Sequence, residues 1–440
     1  MKLKPILASL MLLGLAAPAF ADAPATANAS TQSQLDSMKA QLNKMEAIVN
    51  QNSAGGFQQA SDWTSRITVS GMLNVDGYMS NTTPNFGVQS VTKRIVNDQV
   101  VATRHVDGYA SNLAVNSANL FVDALVNDWT NVHLGLAYSS NTTSDFNREA
   151  AVTQPTFDEG YVTIANFSES PFFFRAGREY VPFGVYNRAP MVQNPTQLLT
   201  QTSGTAAQVG FVSPVGVYGS VYGFRGQSDL ADPDHRPRVD NWGANLGYAY
   251  SNAMYGVKLD AGYIRNMADV NYIGSNLAGY NNKVGGLALS VDGNMGPFDA
   301  SARYVTTLQK FNSNDVAIVK NNAFDNNAAE PAAAGLELGY TFPVMAHQSR
   351  AGLGYQHTWN SAPGYTTDAV GSQTVLTNHG VGVGAYGLPA DRYYANYTVN
   401  VSKWTDVGFE VYHDRDYSVS NGGTGTSATV GVLQLGVKFA

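Results

Sequence analysis

The chain has 440 residues, of which 13% are charged, against roughly 25% in an average soluble domain. It contains 43 Gly, 24 Tyr and 19 Phe, carries a formal net charge of −7 and has no cysteine. The lack of cysteine excludes disulfides, thiolate metal sites and cysteine nucleophiles, and the acidic balance argues against a nucleic-acid partner. No uninterrupted apolar run of about 18 residues follows Ala21, which argues against membrane-spanning helices.

The N-terminus has the pattern of a secretory signal peptide. Lys2 and Lys4 precede the apolar run from Pro5 to Ala17, and segment 19–21 supplies the small residues that signal peptidase recognises. Because the apolar run is too short to span a bilayer, we predict that residues 1–21 are cleaved. Cleavage removes two of the 26 basic residues and none of the 33 acidic ones, so the mature chain is more acidic still.

The start of the mature chain is predicted to be helical in part. Residues 22–56 read as a periplasmic tether followed by a short helix, and residues 57–65 as a linker. The helix has apolar residues at intervals of three and four, which are Leu35, Met38, Leu42, Met45 and Val49. Residues 31–50 could therefore form a coiled coil that joins chains into a homo-oligomer, or a helix lying on the base of its own protein.

From Arg66 to the end, apolar and polar residues alternate with a period of two, which indicates half-buried strands. The pattern recurs sixteen times, and the segments come mostly in pairs with a short link inside each pair and a long link between pairs. The predicted strands are 66–76, 118–124, 132–138, 160–164, 172–176, 209–211, 217–223, 244–250, 257–263, 287–291, 300–304, 336–342, 351–355, 395–401, 407–411 and 433–439.

Seven short turns alternating with eight long loops are typical of an outer-membrane barrel, whose periplasmic turns are short and extracellular loops long. We therefore predict an all-β fold for residues 66–440, a 16-stranded antiparallel transmembrane β-barrel in contact with outer-membrane lipid and lipopolysaccharide. Apolar residues would face lipid. Charged residues on the other parity would face the lumen, among them Asp158, Glu159, Asp260, Arg303, Glu337, Arg350, Arg392 and Glu410.

A candidate constriction follows the third hairpin. The strand beginning at Phe172 meets Pro182 and Gly184, which end a strand and permit a bent loop. Such a loop could fold into the lumen, where cationic side chains would attract an anionic solute. The candidate binding residues are Arg175, Arg178, Glu179, Tyr180 and Arg188. Alternatively, the arginines pair with inward carboxylates such as Asp158 and Glu159, and Tyr180 belongs to the aromatic girdle.

Other chemistry has little support in the sequence. The seven histidines show no metal-ligand spacing, and no GxSxG elbow indicates a hydrolase, so we expect neither a metal site nor catalytic residues. Asp229, Asp232 and Asp234 form an acidic segment that could contact calcium or lipopolysaccharide, although a solvated extracellular loop is the simpler interpretation.

Several segments resemble the LbtU-type siderophore-porin family, typified by the legiobactin receptor. They are QLDSMKAQLNKME, RITVSGMLNVDGY, ANLFVDALVNDWTNVHLGLAY and FDEGYVTIANFSESPFFFRAGREYVPFG. The resemblance implies a sixteen-stranded barrel that admits a ferric siderophore without a plug domain. We expect no cofactor. General or anion-preferring diffusion of small solutes is the alternative, and adhesion through the long loops is a second one.

Overall fold

A computed structural model describes residues 66–81, 94–96, 99–102, 110–138, 155–185, 191–226, 238–252, 254–274, 280–312, 317–320, 323–361, 365–370, 373–378, 388–418, 421 and 427–439. The predicted signal peptide, tether, helix and linker lie outside the described residues. So do Arg188 and the acidic segment that contains Asp229, Asp232 and Asp234.

The described chain contains twenty-two strands, and sixteen of them form one closed antiparallel barrel. The strands are β1 (Ile67–Ser80), β2 (Arg94–Val96), β3 (Gln99–Ala102), β4 (Ala110–Leu125), β5 (Thr130–Tyr138), β6 (Thr156–Ala165), β7 (Phe172–Tyr180), β8 (Ser203–Val212), β9 (Val217–Phe224), β10 (Asn241–Ser251), β11 (Tyr255–Ile264), β12 (Gly286–Met295), β13 (Phe298–Thr307), β14 (Ala317–Lys320), β15 (Ala323–Ala328), β16 (Ala332–Val344), β17 (His347–Trp359), β18 (Tyr365–Val370), β19 (Gln373–Asn378), β20 (Asp391–Ser402), β21 (Thr405–Arg415) and β22 (Ser427–Phe439).

The predicted fold is confirmed, since each of the sixteen predicted strands falls on one barrel strand. Most barrel strands are longer than their sequence patterns. The pairs β2 with β3, β14 with β15 and β18 with β19 form separate two-stranded ribbons inside long connections, and the sequence analysis did not predict them.

Each barrel strand pairs with the next barrel strand along the chain, and the ring closes where β22 pairs with β1. At this seam Gly71 lies opposite Phe439, and Ser80 lies opposite Val430. A Cβ on Gly71 would lie 2.4 Å from Cζ of Phe439, so the aromatic ring occupies the space that a larger residue would need. The last aromatic residue of the chain therefore covers the seam.

Short turns join the strands at one end of the barrel and long loops join them at the other, as predicted. We call these the short-turn end and the long-loop end. Asparagine side chains close some of the short turns. Asn127 Oδ1 accepts the N–H groups of Trp129 and Thr130, and Asn252 Oδ1 accepts those of Met254 and Tyr255.

The barrel wall is apolar outside and polar inside. On β16, for example, Leu338 is 65% exposed while its neighbour Glu337 is 4% exposed. This distribution, with exposed aliphatic residues and buried carboxylates, is the reverse of a soluble protein and suits a wall between lipid and a polar lumen. Among the described residues, no helix has both the length and the apolar character needed to cross a membrane.

Two long loops fold into the long-loop end. The loop between β7 and β8 carries the helix α1 (Pro195–Leu198), and the loop between β11 and β12 carries a 3-10 turn (Met267–Asp269) and the helix α2 (Asn271–Gly274). Their apolar side chains pack together with the inward residues Phe224, Ile264 and others in the main apolar cluster. These loops, and not only the wall, therefore determine how much of the lumen is open.

Candidate pore constriction

The described parts of the loop between β7 and β8, residues 181–185 and 191–202, are here called the crossing loop, which starts at the end of β7 near Pro182. Val181 N donates to the Thr202 carbonyl at 3.0 Å, which holds the two ends of the loop together. Gly184 has a φ of 81°, an angle that glycine adopts without strain. Phe183 and Leu199 are fully buried and pack in the main apolar cluster, so the near end of the loop is fixed by apolar contacts.

The far end of the crossing loop is bonded to the opposite side of the barrel. Met191 N donates to Glu410 Oε2 on β21 at 2.9 Å, and Arg392 Nη1 on β20 donates to the Gln193 carbonyl at 2.8 Å. Around the ring, β21 and β20 lie six and seven strands from β7. Val192 packs in a second apolar cluster formed by residues of β1, β4, β20, β21 and β22. The crossing loop therefore spans the lumen.

Hydrogen bonds within the loop hold its far segment in shape. Asn194 caps α1, because its Oδ1 accepts Gln197 N at 2.9 Å, and Pro195 occupies the start of the helix. Thr200 Oγ1 donates to the Thr196 carbonyl at 2.8 Å. In the second inward loop Asn271 N donates to the Gln201 carbonyl at 2.9 Å, so the two loops support each other.

Charged side chains line the wall that the crossing loop reaches. Arg350 Nη2 donates to Asp299 Oδ1 at 2.6 Å and to Glu337 Oε1 at 2.7 Å, and Tyr394 donates to the other oxygen of Glu337 at 2.9 Å. The network joins four adjacent strands, β13, β16, β17 and β20. The buried guanidinium is thus neutralised by two carboxylates, as a charge in such a position requires.

Arg392 is held in a similar way. Its Nε and Nη2 form a bidentate pair with the Asp414 carboxylate at 2.6 and 2.7 Å, and its guanidinium lies 4.6 Å from the centre of the Tyr412 ring. Only Nη1 is directed to the Gln193 carbonyl of the crossing loop. The arginine therefore positions the loop while its charge is satisfied by Asp414.

The near wall, formed by β4 to β7, has its own buried network. His133 Nδ1 lies 2.9 Å from Asp123, its Nε2 lies 3.4 Å from Glu159, and its ring stacks on Tyr161 with 4.8 Å between centroids. Arg175 Nη1 lies 3.5 Å from Glu179. Among the described residues, no group of three or more His, Cys, Asp or Glu could hold a metal ion.

The described lumen wall carries more carboxylates than basic groups. Each of its six Lys and Arg side chains has a carboxylate within 4 Å, in the pairs Arg175–Glu179, Lys258–Asp260, Arg303–Asp292, Arg350–Asp299, Arg392–Asp414 and Lys438–Asp406. Eleven carboxylates share this parity, and the further five are Asp76, Asp123, Glu159, Glu337 and Glu410. Asp76 accepts from Tyr78, Asn116 and Gln434, which are neutral donors.

The predicted binding residues do not form one group. Arg175 and Glu179 lie on the lumen parity of β7, as expected, but Arg178 and Tyr180 alternate onto the outer face. There Arg178 Nε donates to the Asp158 carbonyl and Tyr180 donates to the Asp158 carboxylate, each at 3.1 Å.

Asp158 was expected in the lumen, and the structure corrects this placement. The pairing of β5 with β6 shifts by one residue there, because Gly135 lies opposite Glu159 while Leu136 lies opposite Phe157. Asp158 is the extra residue of this bulge, and its carboxylate bonds to a side chain of the outer face. The other lumen residues, Glu159, Asp260, Arg303, Glu337, Arg350, Arg392 and Glu410, lie on the inner parity.

The sequence pattern did not identify Met191 and Gln193, which connect the loop to the far wall, or Asp414, which pairs with Arg392. No local pattern identifies them, because Met191 and Glu410 are 219 residues apart. His133 and Asp123 carry a weak signal, since both fall on the polar parity of neighbouring predicted strands.

No protein-family model matches the chain. It is 28% identical over 327 residues to a UPF0422 protein of Coxiella burnetii, with 72% of this chain and 62% of that protein covered. A UPF0422 protein of Legionella pneumophila strain Lens is 28% identical over 366 residues, with 74% of this chain and 62% of that protein covered. The chain thus spans 62% of the length of these curated relatives.

Among solved structures, Pseudomonas putida OprB is similar with a TM-score of 0.52 and 8% identity, covering 85% of this chain and 94% of that one. The outer membrane channel DcaP of Acinetobacter baumannii has a TM-score of 0.49 and 12% identity, covering 85% of this chain and 97% of that one. At these identities the likeness to OprB concerns the fold: the chain folds as an outer-membrane-type β-barrel.

Proposed function

We propose that the protein is an outer-membrane pore for small solutes, narrowed by the crossing loop. The observation that carries this proposal is a closed barrel with a polar lumen, across which Met191 and Gln193 of the crossing loop are bonded to Glu410 and Arg392 of the far wall. A wall with lipid-compatible residues outside and charged residues inside suits passage of polar solutes. A loop held at both ends would give that passage a fixed narrow section.

The charges of the lumen favour cationic or neutral solutes over anionic ones. Every described lumen arginine and lysine is within 4 Å of a carboxylate, so an entering anion would find these cations already neutralised. The described wall carries eleven carboxylates against six Lys and Arg side chains, and acidic linings are the usual basis of cation preference in channels. This argues for the ion-pair interpretation of Arg175 and against an anion-attracting site.

Ferric siderophore is the specific solute that the sequence resemblance implies. Combined with the acidic lumen, this resemblance points to ferric complexes that are neutral or positively charged. General diffusion of small solutes is the alternative, and the barrel supports it equally. The two functions differ in whether a ferric complex is favoured over other solutes of similar size and charge.

A planar bilayer experiment tests the pore and its charge preference. The full-length protein in a salt gradient should conduct, with a reversal potential of the sign that marks cation preference. Replacing two lumen carboxylates, in the variant Asp76→Asn with Glu410→Gln, should move the reversal potential towards zero. Asp158→Asn is the matched control, because it removes a carboxylate of the outer face and should leave the potential unchanged. Absence of conductance would overturn the pore, and an anion-selective potential would overturn the charge preference alone.

A second experiment tests the siderophore. A deletion strain should grow poorly when a neutral or cationic ferric siderophore is its only iron source, and the wild-type gene should restore growth. Liposomes containing the protein should take up that ferric complex faster than a neutral sugar of similar size. Equal uptake of both would exclude a specific siderophore function and leave general diffusion.

A further inference from the structure

The outer face of the barrel carries a concentration of positive charge at the long-loop end of β9 to β13. These cations lie one to three residues beyond the strand ends, and all are exposed except the half-buried Lys283; exposed residues such as Val221, Trp242 and Tyr304 lie within the same strands. Together we call them the basic rim, which consists of Arg225, Arg238, Arg265, Lys283 and Lys310. Five adjacent strands thus carry five cations just beyond their long-loop ends.

Hydrogen bonds hold the centre of the basic rim in place. Arg265 Nη1 and Lys283 Nζ donate to the Asp240 carbonyl at 3.2 and 3.1 Å, and Lys283 Nζ lies 2.5 Å from the Asp240 carboxylate. Asp240 is the one carboxylate on this face within the described ends of the five strands. Counted over the described residues, the rim therefore has five cations and one carboxylate.

The basic rim lies directly beyond the apolar band. Trp242 is 46% exposed and its ring is 5.3 Å from that of Tyr263, one strand away and two residues before Arg265. Leu308, exposed on the same face, comes two residues before Lys310. Exposed aromatic residues mark the boundary between hydrocarbon and headgroups, so the cations lie at headgroup depth.

Outer-face cations elsewhere at this end have local anionic or carbonyl partners. Arg415 on β21 is paired with Asp391, which His357 also contacts at 2.8 Å, and Arg178 on β7 bonds to the Asp158 carbonyl. For Arg225, Arg238 and Lys310, all exposed, the structure shows no ion pair with another described residue. Within the described part of this end, the excess of cations over carboxylates is therefore found at the basic rim.

We propose that the basic rim binds the phosphate groups of an outer-leaflet glycolipid while the exposed aromatic residues below it contact the acyl chains. Guanidinium groups match phosphate oxygens with paired, charge-assisted hydrogen bonds, and each basic residue near a membrane surface contributes about 1 kcal/mol of attraction to anionic headgroups. The inference rests on the outer-membrane placement proposed above. It adds a lipid site to the outer wall and is independent of the solute that passes through the lumen.

The test is an equilibrium titration of the full-length protein in detergent micelles with bisphosphorylated lipid A. We expect the wild type to bind this lipid about tenfold more tightly, or more, than dephosphorylated lipid A. Arg225→Gln combined with Lys310→Gln should weaken binding by a similar factor. Arg66→Gln combined with Lys403→Gln is the matched control, since it removes two cations from the short-turn end and should have no effect.

Three results would overturn the lipid site. Equal affinity of the wild type for dephosphorylated lipid A would show that only acyl chains matter. Unchanged binding by the Arg225 and Lys310 variant would remove the basic rim from the interaction. Full competition by millimolar inorganic phosphate would indicate a site for free phosphate. Normal conductance of the same protein in bilayers would show that the proposed pore stands even if the lipid site fails.

Discussion

The two ends of the crossing loop are held by different forces. At the near end Phe183 and Leu199 are buried among apolar side chains of the wall and of the second inward loop. At the far end the loop depends on directed hydrogen bonds from Met191 N to Glu410 and from Arg392 to the Gln193 carbonyl. Burial of apolar side chains stabilises the loop strongly but is not directional, so small shifts of the loop cost little. Hydrogen bonds contribute less stability, but their geometry fixes the position of the bonded groups. Stability of the barrel and the width of its passage should therefore respond to different substitutions.

The largest effect is expected at the near end. Phe183→Ala removes a fully buried ring and should lower the free energy of unfolding by about 3–5 kcal/mol. Urea unfolding in detergent, followed by heat-modifiable migration on gels, measures this change. Phe172→Ala is the matched control. Because Phe172 is 62% exposed on the outer face, this variant should lose much less unfolding free energy. Equal losses would contradict the apolar attachment of the loop.

At the far end, Glu410→Ala removes the acceptor of Met191 N–H. The free energy of unfolding should fall by about 1–3 kcal/mol. Single-channel conductance should rise, because the crossing loop is no longer hydrogen-bonded to β21. Glu410→Gln keeps an acceptor oxygen in the same place, so its conductance should remain close to that of the wild type while cation preference falls. If the Ala and Gln variants conduct equally, the hydrogen bond does not position the loop.

A smaller effect is expected at Gly408 of β21, which lies against the Met191 side chain of the crossing loop. A Cβ on Gly408 would lie 2.1 Å from Cε of Met191, so Gly408→Ala must displace this flexible side chain. We expect a loss of about 1 kcal/mol in unfolding free energy and a changed conductance. The double variant Gly408→Ala with Met191→Ala should recover part of the unfolding free energy and part of the wild-type conductance. A double-mutant cycle measures the interaction energy between the two residues. Additive effects would show that the two residues do not interact.

The smallest effect is expected on the outer face. Tyr180→Phe removes one hydrogen bond to Asp158 and should cost about 0.5 kcal/mol, at the low end for a single bond. Conductance and reversal potential should not change, because Tyr180 does not share the parity of Arg175 and Glu179. A shift in ion selectivity would contradict the outer-face position of Tyr180 and indicate that its side chain faces the lumen.

The barrel could be predicted from sequence because its determinants are local. Alternation within each strand and the contrast between short and long connections predicted all sixteen strands, and Pro182 indicated a bent loop after β7. The two-stranded ribbons were not predicted because they lie in polar loops. A ribbon outside the barrel wall does not separate lipid from lumen, so its residues need not alternate between apolar and polar.

The candidate site was predicted only in part. Arg175 and Arg178 are three residues apart, so a strand extended to Tyr180 places them on opposite faces, but the pattern suggested that the strand ended at Ala176. The bulge that turns Asp158 outward leaves no mark in the residue pattern. The bonds between the crossing loop and the far wall join residues about 200 positions apart, and only the closed ring brings them together.

The seam between β1 and β22 has a consequence for the order of assembly. Gly71 in the first strand and Phe439 in the last lie opposite each other in register, although most of the chain separates them. Until the final strand is available, β1 and β21 each present an unpaired edge, which invites association with other chains. Contacts of such long sequence separation form late and slowly. Completion of the last strand, Ser427–Phe439, is therefore the step that commits the chain to a closed wall, and a nascent chain lacking this strand would need an external strand or chaperone to shield its edges.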